Sequence, residues 1–418
     1  MSLHEFAVEG HWRGPGVVAM TDTVSSDEQA LREALAQEFG RPFDIARLDI
    51  DARFVYDHAC RIGEEALSSA LWPGVQGQML PYRLLVGFFE SSRLNAGTLD
   101  LTDGASLVAL TASFPVALLG AFAAVAQRME TGSALPQRDA QGRVVVFADR
   151  LELFATGADG GMKNPDTAAS LTAVLHALAQ TGRLPQAMLL YDLAIRFVVM
   201  HECMHIVLGH TGYVRRELRV SRLMEMGAMR RGVLTPDVSQ ALEFIADRHA
   251  VRGVVQWARS GRLGKYVDAV QRDPALTREQ YLLRALTLAL MTLLLLFPSR
   301  ATARASSRDS HPHPYTRMRW LCREIGQELP SRDMHVKAVL EPMAFWTASF
   351  QRNFSTPGRW ERAIREDQQE GNGLPPLSDR AYADITAVAR QWQTRLWQGY
   401  SPVYPGDGRD FESMLAEA

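Results

Sequence analysis

Residues 187–209 read AMLLYDLAIRFVVMHECMHIVLG. The run is apolar and has no helix breaker before its last residue. Gly182 and Pro185 stand just ahead of it, so the pattern predicts a strong helix over about 186–209. Within it, His201 and His205 are four residues apart with Glu202 between them. Each helical residue turns the chain by about 100°, so the two histidines lie about 40° apart on the helix surface. Both imidazoles can reach one metal ion, and Glu202 is placed to act as a general base on a water at that ion. Taken alone, the same five residues also fit a pair of ordinary histidines on an amphipathic helix.

The third ligand sets the class of site. Thr211 stands where a metzincin pattern would have a histidine, six residues after His205. His210 comes one residue earlier, about 140° round a continued helix from His205, and reads as structural. Cys203 is about 200° from His201 and reads as a buried thiol. A second helix is predicted from about Asp237, through ALEFIADRHAVRGVVQWAR. Glu243 and Asp247 are four apart on it, among Leu242, Phe244, Ile245 and Ala246. Glu243 can complete a two-histidine, one-glutamate zinc site with water as the fourth ligand. Asp247 can accept the second N–H of a ligand histidine, His201 first among them, and so fix its tautomer. The competing reading of this pair is a solvated acidic face, which the apolar neighbours weaken. His249 lies about 240° round from Glu243 and is a poor ligand.

Here the chain resembles a known family. HExxH followed about forty residues later by ExxAD is similar to the pattern of the gluzincin peptidases of the CAAX prenyl protease and HtpX group. Upstream, Leu94-Asn95-Ala96 and a strand at Ser106–Ala112 with a helix after it look like that family's Asn-Ala strand and strand–helix unit. Downstream, Ser310-His311-Pro312 with Arg317 and Leu321 looks like its His-Pro segment. The resemblance covers residues 94–322 in four short islands. It implies a zincin-like core and peptide-bond hydrolysis. It also implies a role for His311, or its neighbour His313, in stabilising the oxyanion. Met204 departs from the glycine usual before the second histidine. A weaker resemblance, to the Lit-type phage-exclusion peptidases, points to a cytoplasmic regulatory or defence protease.

The remaining composition narrows the field. The chain has 418 residues and a formal charge of −2, with no basic face that would bind nucleic acid. Cys60, Cys203 and Cys322 are odd in number and far apart, as in a reducing compartment. Residues 1–16 lack the apolar segment of a signal peptide. Residues 105–126 carry no charge and are long enough to span a bilayer. They read instead as a strand to Ala112, a break at Ser113-Phe114-Pro115 and a helix from Val116 to Arg128. Residues 285–297 are too short for a span and read as a core helix.

The expected fold is α+β and mostly helical, with a zincin-like core and a small sheet beside the HExxH helix. Residues 1–80 are expected to form a helical region, 81–330 the metallopeptidase domain and 331–418 a helical appendage containing Trp346, Trp360, Trp392 and Trp397. Helices are expected at 27–39, 54–71, 79–92 and 167–181, a strand at 143–154, and loops at 156–166 and 301–310. His58, His176 and His335 read as ordinary polar contacts.

The function expected is a zinc endopeptidase acting on a protein or peptide, without nucleic acid or membrane. His201, His205 and Glu243 hold Zn2+, Asp247 supports a ligand, and Glu202 and His311 serve catalysis. A substrate backbone is expected to pair with an edge strand at 95–100 or 106–112. The rivals are a catalytically silent zincin-fold scaffold and a membrane-embedded peptidase of the same family.

Overall fold

The computed structural model describes residues 26–68, 83–131, 167–224, 234–296, 314–343 and 379–412, apart from short gaps within those spans. The described chain is mostly helical with one small sheet. Its elements are α1 (Ser26–Glu38), α2 (Ile50–Ser68), β1 (Arg83–Phe89), β2 (Ala96–Asp100), β3 (Ala105–Thr111), α3 (Ser113–Thr131), α4 (Thr167–Gln180), α5 (Leu184–Val207) and α6 (His210–Glu217). Then follow β4 (Leu223–Met224), α7 (Pro236–Arg259), α8 (Arg278–Leu296), α9 (Pro314–Gln327), the short α10 (Arg332–His335) and α11 (Asp379–Tyr400).

The centre of the molecule is α5. Of its 24 residues, only Pro185 is not buried. A helix buried on every side has no solvent face, so its few polar side chains must find partners within the protein. Helices α2, α3, α7 and α8 and strand β2 all pack on it. Pro185 opens the helix, where the missing N–H costs nothing. Tyr191 in α5 donates its hydroxyl to the Val55 carbonyl in α2 at 3.1 Å, and Tyr56 of α2 donates to Ala112 at the start of α3. Among the described residues, the main apolar core runs from Ala52 in α2 to Trp397 in α11 and Phe411.

The sheet order is β1-β3-β2-β4. β1 runs parallel to β3, with Arg83 opposite Ala105 and Phe89 opposite Thr111. β2 is antiparallel to both β3 and β4. Two expectations are corrected here. Residues 83–89, expected to be helical, form β1. The strand is buried on both faces: Leu84, Val86 and Phe88 join the main core, while Phe89 joins a second cluster with Leu35 and Leu107. A strand covered on both faces reads as a continuous apolar run, and such a run does not distinguish strand from helix. Gly87 lets α1 pack closely on this strand, because a Cβ there would lie 2.9 Å from the Leu35 side chain of α1.

The second correction concerns edges. β3 lies between β1 and β2 and has no free edge. On β2, the outer edge at Gly97 and Thr98 is taken by Met224 and Leu223 of β4.

The apolar stretch at 105–126 becomes β3 followed by α3, with Pro115 in the first turn of the helix. No helix among the described residues is long and apolar enough to cross a membrane. Residues 285–296 lie in the buried α8. The expected strand at 143–154, the loops at 156–166 and 301–310, His311, His313, Trp346 and Trp360 lie outside the described residues.

Candidate metal centre

Two helices build the site. α5 presents His201, Glu202 and His205, and α7, packed alongside it, presents Glu243 and Asp247. All five side chains are buried. The four-residue spacing on each helix puts each pair on one face, and the contact between α5 and α7 turns those faces toward each other.

The ligand triangle is tight. His201 Nε2 lies 3.0 Å from His205 Nε2. Glu243 places one carboxylate oxygen 3.4 Å from His201 Nε2 and the other 3.6 Å from His205 Nε2. Ligands at about 2.0–2.2 Å from a tetrahedral ion are themselves about 3.3 Å apart. The observed edges bracket that value. His201, His205 and Glu243 form a buried group that can hold a metal ion. Burying a carboxylate in an apolar core costs several kcal/mol, and a cation held by the triangle would offset that cost.

Behind the triangle, each histidine ligand has its own partner at Nδ1. His201 Nδ1 lies 2.9 Å from Asp247 Oδ1. Asp247 is gripped in turn by Arg317 of α9, which donates Nε to one carboxylate oxygen at 2.9 Å and Nη2 to the other at 2.8 Å. This fork fixes the carboxylate plane, and hence the side of His201 that faces the triangle.

His205 is served differently. Its Nδ1 lies 2.8 Å from Nδ1 of His210. Burial first, and the adjacent His205 second, push the His210 imidazole well below its ordinary pKa.

The contact of His210 with His205 corrects the expectation that His210 points elsewhere. That expectation assumed a continuous helix. The helix in fact ends at Val207, and Gly209 follows with φ +80° before α6 begins at His210. The left-handed step swings His210 back over His205. Gly209 is also crowded, since a Cβ would come within 2.5 Å of the Leu396 carbonyl and 2.7 Å of the Ser401 amide. The Ser401 hydroxyl donates to the Val207 carbonyl and caps the end of α5. The C-terminal segment thus holds the break that aims His210.

Cys203 and His249 stay away from the triangle. The Cys203 thiol is buried and pushed up to about 12 by that burial, so it is inert. His249 contacts Gln393 of α11 at 3.1 Å and packs edge-on against Phe411. Burial, reinforced by Arg248 and Arg252, lowers it to about 3. His58 is more than an ordinary polar contact: it is buried 2.6 Å from Asp192. His176 is an exposed partner of Gln180.

Sequence reasoning left two residues of the site without a role there. Arg317 stands in the His-Pro segment, whose spacing gives it no partner. For His210 the signal was the preceding Gly209, which ends a helix when it takes a left-handed conformation.

In comparisons with known proteins, no family model matches the chain, and no curated protein and no solved structure matches it.

Proposed function

We propose that the protein is a zinc-dependent endopeptidase with a zincin-like core. The observation that carries this reading is the buried triangle of His201, His205 and Glu243, with Glu202 on the same helix as the two histidines. Two nitrogen donors and one carboxylate leave room for a fourth, exchangeable ligand, which is the donor set of a catalytic zinc site. Asp247 and Arg317 cancel each other's charge. Glu202 and Glu243 are two further buried carboxylates, and a dication matches their charge.

Zinc, when bound, supplies a Lewis acid that polarises the scissile carbonyl and lowers the pKa of a water. The chain's own residues do the rest. Glu202 takes the proton from that water and delivers it to the leaving amine. Asp247 holds the orientation of His201, and Arg317 holds Asp247. His311, on the strength of the family resemblance, stabilises the developing oxyanion. The substrate is a protein or peptide. A cytoplasmic site of action fits the isolated cysteines.

Glu202→Gln tests the reading. The amide keeps the shape of the side chain but cannot take a proton. N-terminal proteomics of cells carrying the native protein or the variant should reveal new protein N-termini only with the native protein. The purified variant should keep its zinc. Identical N-termini in both cells would favour a silent scaffold, and loss of zinc from the variant would show that Glu202 is not the base.

A further inference from the structure

We propose that His210 is a positioning residue for the metal centre: it accepts the Nδ1–H of His205 and so commits the Nε2 lone pair of His205 to the metal. The proposal rests on the metal-binding reading above and goes beyond it. It assigns the second ligand histidine an uncharged partner, where the first has a carboxylate.

The argument is a proton count. Two Nδ1 atoms 2.8 Å apart share one proton, since two protons would collide and two lone pairs would repel. A neutral imidazole carries one N–H and one lone pair. His205 Nε2 belongs to the triangle, 3.0 Å from His201 Nε2 and 3.6 Å from Glu243. It must therefore offer its lone pair, and the single proton of His205 sits on Nδ1. His210 Nδ1 is then the acceptor, and its own proton is on Nε2. The reverse arrangement would put a proton on His205 Nε2, in the middle of the site.

The placement of His210 is built in. It is fully buried, directed by the left-handed Gly209 and followed by Thr211, which donates to Asp100 of β2 at 3.0 Å. Its Nε2 has no hydrogen-bond partner among the described residues. The contact with His205 is thus the hydrogen bond described for this ring.

The two ligand histidines are consequently unequal. An imidazole nitrogen is a weaker, uncharged acceptor than a carboxylate, so His205 is the less basic ligand of the pair.

Two variants of the full chain separate acceptor from bulk. In His210→Asn, Oδ1 sits as many bonds from the backbone as Nδ1 does and can accept. In His210→Leu the space is filled without an acceptor. Zinc affinity is read by competition with a chromophoric chelator, and the folding of each variant by circular dichroism. His210→Leu should bind zinc about 10–100-fold more weakly than the native protein, the usual loss when an outer partner goes. His210→Asn should stay within a few-fold of native. Nitrogen NMR of the zinc-loaded native protein should place the His205 proton on Nδ1 and the His210 proton on Nε2. That spectrum also decides the matter if His210→Leu does not fold. Native affinity in His210→Leu, equal losses in both variants, or a His210 proton on Nδ1 would each overturn the proposal. A native protein that binds no zinc would instead bring down the metal centre itself.

Discussion

Two buried polar clusters sit on the same helix, α5, and they follow opposite logic. Near the N-terminal end, Asp192 lies 2.6 Å from His58 and accepts from Arg196 Nε at 3.0 Å. Arg196 also donates to Glu65 at 2.7 Å, and its guanidinium lies 3.7 Å from the Trp257 ring centroid. Each acceptor faces a donor: Asp192 lies between His58 and the Arg196 guanidinium, Glu65 takes a second Arg196 nitrogen, and the cluster ties α2 to α5 and α7. About 14 Å further along the helix, at the usual rise per residue, His201 and His205 face Glu243. There the converging atoms are all lone-pair donors. The first cluster is complete as it stands; the second has the shape of a cation's coordination shell. His58, Asp192 and Arg196 are as buried as His201, His205 and Glu243, so burial alone does not mark a functional site. The sign of the groups that face each other does.

Breaking the first cluster should hurt folding and leave metal binding alone. Asp192→Ala removes the carboxylate between His58 and Arg196 and leaves a buried cation partly uncompensated. Loss of one partner from a buried pair costs about 3–5 kcal/mol, and Glu65 keeps this case near the lower end. Urea denaturation should report that loss, while zinc stoichiometry of the folded fraction stays native. Joint loss of stability and zinc would mean that the two ends of α5 are not separable.

A smaller effect sharpens the same contrast through pH. Burial pushes His58 below its ordinary value of 6.5, against the opposing pull of Asp192. Asp192 is pushed up by burial but drawn down further by Arg196 and His58, ending below 3.8. The sign follows for each. For a histidine with a depressed folded pKa, the unfolded chain binds more protons below about 6.5. Its contribution is whole above that pH and is lost as the pH falls through the folded value. Asp192 contributes in the same direction but lower, from about 3.8 downward. Melting temperature measured from pH 7 to pH 5 should therefore fall further in the native protein than in His58→Gln. Parallel curves would mean that His58 does not titrate with folding.

Much of the candidate metal centre is legible in the sequence, because the grouping of its side chains depends on helical spacing. His201 with His205 and Glu243 with Asp247 are each four apart, and helix geometry places such pairs on one face whatever surrounds them. What spacing does not carry is a break in the helix or a contact between distant segments. A helix running on past Val207 would point His210 away; the left-handed Gly209, locked by Leu396 and Ser401, sends it to His205. Arg317 reaches Asp247 across 70 positions of sequence, and no local pattern encodes that pairing. The same holds in the fold. Strand β3 and helix α3 were readable from the break at Ser113-Phe114-Pro115. β1 was not, because a strand buried on both faces loses its alternation. The occupied edge of β2 was hidden as well, since β4 has only two residues.

The central claim is that His201, His205 and Glu243 hold one zinc ion, and elemental analysis tests it most directly. Native protein, purified and dialysed free of loose metal, should carry about one zinc per chain. The folded Glu243→Ala variant, handled in the same way, should carry almost none. A native protein without zinc that takes none up when it is offered, or a Glu243→Ala variant that keeps its full complement, would contradict the account.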